Sequence, residues 1–149
     1  MERNKMTLKE RVQTDLIQAM KDKNALVKGV LQIVKAGFNN AEKQAGMELD
    51  DTQLLPVIQK EIKQTKQALE GAVTAQREDL ITQEEAKLTL LKSYLPEQLD
   101  EAQIEQRLYD AGVRSGLRMG DAMNMARLAI KAGEAEASMV SAIVKKLII

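Results

Sequence analysis

The sequence predicts an all-α fold of seven helices arranged in two parts. Apolar residues recur at three- and four-residue spacing along most of the 149 residues, which is the period of an amphipathic helix. Glycine and proline are scarce, with 8 and 2 copies, so few positions interrupt a helix. No run of four or more residues shows the strict apolar–polar alternation of a half-buried strand. Helices are therefore expected over nearly the whole chain.

The first two predicted helices are marked by signals at their ends. Thr7 and Glu10 have the spacing of a capping box and open the first helix. The second helix should run from Ala25 to about Ala45, with Gly46 as its stop. The side chains expected to face the core are Leu8, Val12, Leu16, Ala19, Met20, Leu26, Val30, Ile33, Val34, Phe38 and Ala41.

The third and fourth predicted helices complete a larger N-terminal bundle. One of the three polar residues at positions 50–52 can cap the third helix, which should continue to about Gln76. Thr82 and Glu85 repeat the capping-box spacing and are expected to open the fourth helix. The core side chains predicted here are Leu54, Leu55, Ile58, Ile62, Leu69, Ala86, Leu88, Leu91 and Leu95.

A proline divides the chain. Pro96 fixes its own φ and disfavours helical backbone in the preceding residue, so the fourth helix should stop at about Tyr94 or Leu95. We therefore predict an N-terminal bundle domain of four helices over residues 1–95. Residues 96–149 are predicted to form a small C-terminal domain of three helices.

The C-terminal part has its own helix signals. Asp100 should open the fifth helix and Gly112 should end it. The sixth is expected from about Gly120 to Ala132, with Gly133 as its terminator, and the seventh from about Ala137. The predicted core positions are Ile104, Leu108, Ala111, Met139, Val140, Ile143, Val144 and Leu147.

The last three residues allow two interpretations. Three helices in about fifty residues make a thin core, which favours docking on the larger part or on a partner. The apolar ending Leu147, Ile148 and Ile149 is suited to such docking. It is equally suited to packing inside its own three-helix core.

The chain has no cysteine and no histidine, which excludes several kinds of site. Disulfides, thiolate metal sites, Ser-His-Asp and Cys-His catalytic units and ordinary zinc coordination all need one or both residues. The acidic residues fall in patterns typical of a solvated surface, so carboxylate catalysis in a desolvating pocket is not expected. We therefore predict no metal site, no cofactor and no catalytic activity of the chain alone.

Targeting signals are also missing from the sequence pattern. No stretch approaches the roughly 18 apolar residues of a membrane span, and no basic start is followed by a continuous apolar run. We expect a cytoplasmic protein that does not associate with membranes. The sequence does not predict its oligomeric state.

One segment carries a local excess of positive charge. The whole chain is neutral, with 22 basic and 22 acidic residues. Between positions 114 and 131, however, Arg114, Arg118, Arg127 and Lys131 accompany a single acid, Asp121. Arginine forks suit phosphate oxygens, so these four residues are candidates for RNA binding. The alternative is that they are ordinary solvated charges on an amphipathic helix.

Several motifs resemble those of one family. The most specific is the run Tyr94–Leu99, read as YLPEQL and followed by an acidic helix start. Arg77 with Asp79-Leu80, and Met119-Gly120 with Met123, add to the match. The chain resembles the YqeY-like proteins of the GatB/YqeY family. That family is related to the C-terminal helical region of the B subunit of glutamine-dependent aminoacyl-tRNA amidotransferases.

Three positions depart from the family pattern. The family commonly has arginine where Gln32 stands, glutamate where Lys87 stands and aspartate where Glu136 stands. The first two changes alter charges on the larger part. Contacts of the family that use those charges are therefore not expected in this chain.

The resemblance implies a tRNA-binding or amidotransferase-associated module that lacks an active site of its own. In the amidotransferase, a carbon–nitrogen ligase, the similar region grips tRNA while the chemistry occurs elsewhere. The small domain would face tRNA, with amidotransferase or synthetase subunits as further implied partners. The alternatives are a helical protein-interaction adaptor without an RNA role, docking through its apolar last helix or its methionines, and an enzyme that transfers an amide by itself.

The motif residues themselves are expected to have structural roles. Tyr94 should be a buried ring whose hydroxyl bonds nearby backbone. Gly120 should permit a close approach or a special turn. The matched positions to which structural roles are assigned are Tyr94, Leu95, Pro96, Gln98, Leu99, Met119, Gly120 and Met123.

Overall fold

The computed structural model describes residues 6–149, which form seven α-helices and no strand. The helices are α1 (Leu8–Lys21), α2 (Ala25–Ala45), α3 (Asp51–Thr74), α4 (Glu78–Lys92), α5 (Glu101–Asp110), α6 (Met119–Ala129) and α7 (Ala137–Ile148). The all-α prediction is confirmed. The chain separates into two compact units, one ending at Tyr94 and one beginning at Leu95.

Helix ends in three places use the capping box. Thr7, Asp50 and Asp100 each accept a hydrogen bond from the third backbone N–H of the helix they precede, and the side chain of that third residue bonds back. The predicted caps of α1 and α5 are therefore confirmed, and the cap of α3 is Asp50. Gly46 ends α2 in the left-handed conformation, as expected.

The first unit buries the apolar faces of α1 to α4. Helix α1 packs on α2 and α3 packs on α4, while α2 also contacts α3 and α4. The buried apolar side chains of this unit are Leu8, Val12, Leu16, Ala19, Val30, Leu31, Val34, Phe38, Leu54, Leu55, Ile58, Ile62, Ala72, Leu88, Leu91 and Tyr94.

Some predicted core positions of the first unit were wrong. Ile33 is 57% exposed, and Met20 and Ala86 are exposed too, whereas Leu31 is fully buried. In an ideal helix, Ile33 lies about 115° from the centre of the face formed by the buried residues of α2. That angle is outside a core-facing stripe roughly 100° wide, so Leu31 is buried instead.

Helix α4 begins four residues before the predicted capping box at Thr82. Gln76 adopts a positive φ of 55°, which ends the preceding helical turn. Arg77 then takes the N-cap position without a side-chain cap bond. Its guanidinium pairs with Asp79 at 2.9 Å, and the carboxylates of Glu78 and Asp79 lie in the first turn. Acids there complement the positive end of the helix dipole, so α4 starts without a capping box.

The second unit has a separate core built by α5, α6 and α7. Helix α7 packs on both α5 and α6. The buried side chains are Ile104, Leu108, Val113, Ala122, Ala126, Ile130, Val140, Ile143 and Val144. Ala111 and Met139 were expected in this core but are exposed. Val113 and Ile130 lie outside the helices, where a helical period could not identify them.

Helix α6 ends three residues earlier than predicted. Ile130 leaves the helix with φ −119° and ψ 116°, and its side chain is buried in the second core. Gly133, the expected terminator, has a positive φ of 82° in the following loop. Burial of Ile130 therefore ends the helix before the glycine is reached.

The chain ending packs mainly into its own core. Leu147 and Ile148 are partly buried against the second core, whereas Ile149 is 91% exposed. For the first two of the three apolar residues, packing within the unit is the interpretation that the structure supports.

Candidate nucleic-acid interface

All four candidate RNA-binding side chains lie in the second unit and are exposed. Arg114 belongs to the loop between α5 and α6, and Arg118 is the N-cap residue of α6. Arg127 lies in the last turn of α6, and Lys131 follows that helix. Arg118 and Arg127 are nine positions apart, or about 13 Å along the axis of α6. The structure thus places two cations before or at the start of α6 and two at or beyond its end, so they do not form one tight cluster.

Arg114 is held by the neighbouring Tyr109. Its Cζ lies 3.4 Å from the centroid of the tyrosine ring, which is 53% exposed. The Nη1 group donates to the carbonyl oxygens of Tyr109 and Val113. Within the part of the chain that the structure describes, Nε and Nη2 make no hydrogen bond. The guanidinium is therefore fixed in place with donors still available to a ligand.

The loop that carries Arg114 and Arg118 is tied to the end of α7. Gly116 donates its backbone N–H to the Ile148 carbonyl at 3.0 Å, and the Ser115 hydroxyl donates to the Ile149 carbonyl at 3.0 Å. The positive φ of Gly116, 94°, permits the turn. These contacts restrain the loop, and the role of Gly116 was not predicted from the sequence.

Positive charge at the other end of α6 is partly offset. The Arg127 guanidinium donates to the side-chain oxygen of Asn124 at 2.6 Å. The carboxylate of Glu134 accepts the backbone N–H of Lys131 and the Nη1 of Arg107, both at 2.7 Å. The Lys131 N–H, the Arg107 hydrogen bond and the nearby positive charges lower the pKa of Glu134. Glu134 therefore stays ionised and weakens the positive potential around Lys131.

No carboxylate among residues 6–149 lies within 4.0 Å of any of the four cationic groups, although Glu134 acts on Lys131 from farther away. Charges without close partners keep their attraction for anions in water, where paired ones lose much of it. Arg114 and Arg118 therefore form the stronger half of the candidate interface.

Tyr94 closes the first unit at its C-terminal end. Helix α4 stops at Lys92, two residues before the predicted limit, and the Tyr94 ring is buried. Its hydroxyl donates to the Asp15 carboxylate, so the expected backbone partner was wrong. Arg11 lies 5.2 Å from the ring centroid and donates to the Ser93 carbonyl at 2.9 Å. Tyr94 thus connects α1 to the end of α4.

Gln98 and Leu99 fix the beginning of the second unit. The Gln98 amide donates to the carbonyls of Pro96 at 2.8 Å and Gly133 at 2.6 Å. The Leu99 N–H donates to the Glu134 carbonyl at 2.9 Å, and its side chain packs on the second core. These bonds join the proline segment to the loop between α6 and α7.

The methionine motif contributes to the core, but its glycine does not. Met119 and Met123 are partly buried against the second core. A Cβ built on Gly120 meets no atom within 4 Å, and its φ is not positive. The close approach or special turn expected at Gly120 is therefore absent.

Comparison with known sequences identifies the family. The sequence model described as Yqey-like protein matches residues 9–148, nearly the whole chain. The chain belongs to the YqeY-like family.

Two fungal proteins are similar to this YqeY-like chain. One is named altered inheritance of mitochondria protein 41, mitochondrial, from Pyrenophora tritici-repentis. It is 31% identical over 143 residues, covering 93% of this chain and 79% of the relative. The other is an uncharacterized protein of Schizosaccharomyces pombe, 31% identical over 86 residues, covering 58% of this chain and 70% of the relative.

Open grooves of the YqeY-like chain lie among the described residues of its first unit. One of about 370 Å³ lies between α1 and α2, with Val12 and Phe38 among its lining residues. Another, of about 650 Å³, lies where α1 and α3 begin. Its acids include Asp50, the cap of α3, and Asp51, which accepts the Leu8 N–H at 2.9 Å. These two carboxylates stabilise helix starts, which accounts for their position in the groove.

Two further properties bear on binding. Within residues 6–149 no group of three or more acidic side chains is placed to hold a metal ion. Across the same residues, no helix combines the length and the apolar character that crossing a membrane requires.

Proposed function

We propose that this YqeY-like protein is a non-catalytic tRNA-binding module related to tRNA-dependent amidotransferases. The observation that carries the proposal is the exposure of Arg114, Arg118, Arg127 and Lys131 in the second unit. Within the described residues, none of these side chains has a carboxylate within 4.0 Å. The second unit would therefore contact RNA.

Contacts to phosphate would supply most of the binding. The restrained Arg114 presents Nε and Nη2 from a fixed position, which reduces the entropy lost when it binds. Arg118, on the same restrained loop, adds a second fork. The RNA would be recognised by shape and phosphate position, with little reading of base edges.

Amide transfer would be left to a partner. We propose association with amidotransferase or synthetase subunits, the carbon–nitrogen ligase chemistry taking place on those subunits. Purified protein should then show no glutamine-dependent amidation of charged tRNA. Amidation by the protein alone would contradict the non-catalytic proposal.

Binding of total tRNA at two salt concentrations tests the proposal. Four phosphate contacts give a log–log salt slope of roughly −3, which lowers affinity roughly sixtyfold between about 50 and about 200 mM salt. Arg114→Glu, Arg118→Glu and Arg127→Glu combined should abolish most of the binding. The matched control reverses three exposed lysines of the first unit, Lys60→Glu, Lys63→Glu and Lys92→Glu.

The outcomes separate the site from the function. Unchanged affinity in the arginine variant would reject the site assignment. Absence of binding by the unchanged protein at low salt would reject tRNA binding itself. Equal losses in the arginine variant and the lysine control would show that the effect is one of net charge only.

An interaction adaptor is the second candidate. Leu128 is 89% exposed on α6, and Met139 is also exposed. Three of the four methionines of the second unit, together with Leu147 and Ile148, pack on the second core, so Leu128 is the best remaining anchor for a partner. Leu128→Ser should abolish a co-purifying protein complex and leave tRNA affinity unchanged if the adaptor role is correct.

The cytoplasmic location stays a prediction. One relative is named as a mitochondrial protein, which makes the mitochondrion the alternative. Fractionation of the source cells, with immunoblotting against marker proteins, distinguishes the two.

A further inference from the structure

One side of α2 is a row of exposed hydrogen-bond donors, here named the α2 donor face. Its members are Lys28, Gln32, Lys35, Asn39 and Lys43, all of which are exposed. Their spacings of three and four residues place them within an arc of about 80° around the helix. The face extends about 22 Å along the helix axis.

The α2 donor face has no competing negative charge of its own. The only acid in α2 is Glu42, which accepts hydrogen bonds from the Lys9 ammonium at 2.9 Å and the Leu49 N–H at 2.8 Å. These bonds lower the pKa of Glu42 and hold its carboxylate toward α1 and the loop after α2. The charge of Glu42 is thus offset by Lys9.

The side chains of the α2 donor face are unengaged within the described part of the chain. Among residues 6–149, its five members make no side-chain hydrogen bond and no ion pair. Elsewhere in the unit, cations are mixed with acids or outnumbered by them. Lys60 and Lys63 flank Glu61 on α3, and α4 carries four acids against two lysines. Positive charge is therefore concentrated on α2.

This chemistry matches an extended phosphate chain. Lysine, asparagine and glutamine all donate hydrogen bonds to phosphate oxygens. The α2 donor face itself carries no carboxylate to repel phosphate, although Glu10 of α1 lines the groove that Lys35 and Asn39 border. Successive lysines of the face are seven and eight residues apart, about 10 to 12 Å along the axis. One phosphate cannot bridge that distance, but a polynucleotide backbone can.

We propose that the α2 donor face binds the sugar–phosphate backbone of RNA, as a contact surface additional to the second unit. The choice of RNA rests on the proposed function. The location on α2 rests on the exposure, spacing and charge of the face. It assigns RNA contact to both units of the chain.

The salt dependence of tRNA binding by the full chain tests this inference. With both surfaces in contact with RNA, the log–log slope of the unchanged protein should be about −5 in place of about −3. Lys28→Gln, Lys35→Gln and Lys43→Gln combined should reduce the magnitude of that slope by about 2 and weaken binding by about tenfold or more. Lys60→Gln, Lys63→Gln and Lys92→Gln, which remove the same charge elsewhere, should change the slope by less than about 0.5. The second-unit variant, in which Arg114, Arg118 and Arg127 are replaced by glutamate, is measured in parallel.

A second variant keeps the test independent of folding. Lys28→Arg, Lys35→Arg and Lys43→Arg preserve every positive charge and should retain the slope of the unchanged protein. Circular dichroism of all variants should match, because the replaced side chains are exposed. If this lysine-to-arginine variant lost the salt dependence of tRNA binding, a role of the face based on charge would be overturned.

The remaining outcomes distinguish failure of the α2 inference from failure of the proposed function. A normal slope in the glutamine variant, together with a loss in the second-unit variant, would overturn the α2 inference and leave the proposed function standing. The reverse pattern supports the inference and rejects the second-unit site. No tRNA binding at about 50 mM salt overturns both. If polyglutamate competes as well as RNA at equal charge, the face serves an acidic protein and the inference is overturned.

Discussion

Gly37 lies where α2 approaches α3 closely. A Cβ at this position would be 2.6 Å from Cγ1 of Val57, a distance that real side chains do not tolerate. Valine is restricted at χ1 in a helix, so Val57 cannot simply rotate away. A Cβ at Gly29 on the same helix would meet no atom within 4 Å.

The two glycines should therefore respond oppositely to alanine. We expect Gly37→Ala to lower the free energy of unfolding by about 1 to 3 kcal/mol, because overpacking outweighs the better helix propensity. Gly29→Ala should raise it by about 0.5 to 1 kcal/mol. Urea unfolding followed by circular dichroism measures both. Equal shifts in the two variants would contradict the close approach.

Glu134 makes the stability of the second unit depend on pH. Its pKa is lowered in the folded chain, so its contribution to stability is fully present above the ordinary value of 4.5 and is lost as pH falls through the folded pKa. Glu134→Gln should cost about 1 kcal/mol at pH 7. That difference should shrink as the pH falls from 4.5 through the lowered pKa of Glu134 in the folded chain.

Thermal unfolding over a pH series measures this effect. Glu97→Gln is the matched control, because Glu97 is exposed and has no hydrogen bond or ion pair among the described residues. A Glu134→Gln difference that stays constant between pH 7 and strongly acidic conditions would show that the hydrogen bonds of Glu134 do not depend on its charge.

At the scale of the helices, capping-box spacing was informative in two places and misleading in one. The pattern predicted the starts of α1 and α5, where Thr7 and Asp100 accept backbone N–H groups. Thr82 has the same spacing to Glu85, yet it lies inside α4. The left-handed turn at Gln76 started that helix earlier, and a short motif contains no information about such a turn.

Alanine substitutions at Asp100 and Thr82 test which of the two residues caps a helix. We expect Asp100→Ala to lower the free energy of unfolding by about 1 kcal/mol, because the hydrogen bond from the Gln103 N–H to the Asp100 carboxylate is lost. Thr82→Ala should be neutral or stabilising by a few tenths, since alanine has the higher propensity inside a helix. A cost of about 1 kcal/mol at Thr82 would place the start of α4 where the motif predicted.

The candidate interface was only partly accessible from sequence. The four cations follow from charge alone, and their exposure is what an amphipathic helix predicts. The stacking of Arg114 on Tyr109 depends on the turn between them, where Gly112 has a φ of 102°. The α2 donor face was missed because only the structure shows that Glu42 is held by Lys9 and Leu49.

At the scale of the whole chain, two separate cores follow one another in sequence. Ile58 in the first and Ile104 in the second are both fully buried. The division into domains at Pro96 predicts that a defect in one core leaves the other intact. Ile58→Val and Ile104→Val remove the same methylene group and should each cost about 1 kcal/mol.

Hydrogen exchange of backbone amides shows where each cost appears. Ile104→Val should accelerate exchange about fivefold in α5 to α7 and leave α1 to α4 unchanged, and Ile58→Val should do the reverse. The same acceleration throughout the chain in both variants would mean that the units unfold together and that the predicted domain division is wrong.

The distribution of tyrosine has a practical consequence. The chain lacks tryptophan, and its two tyrosines fall one in each unit, Tyr94 buried beside a carboxylate and Tyr109 exposed beneath a guanidinium. Intrinsic fluorescence therefore comes from one emitter per unit, in two different surroundings. Replacing Tyr109 with phenylalanine leaves an optical signal from the first unit alone, and ligand titrations can then be assigned to one unit without any added dye.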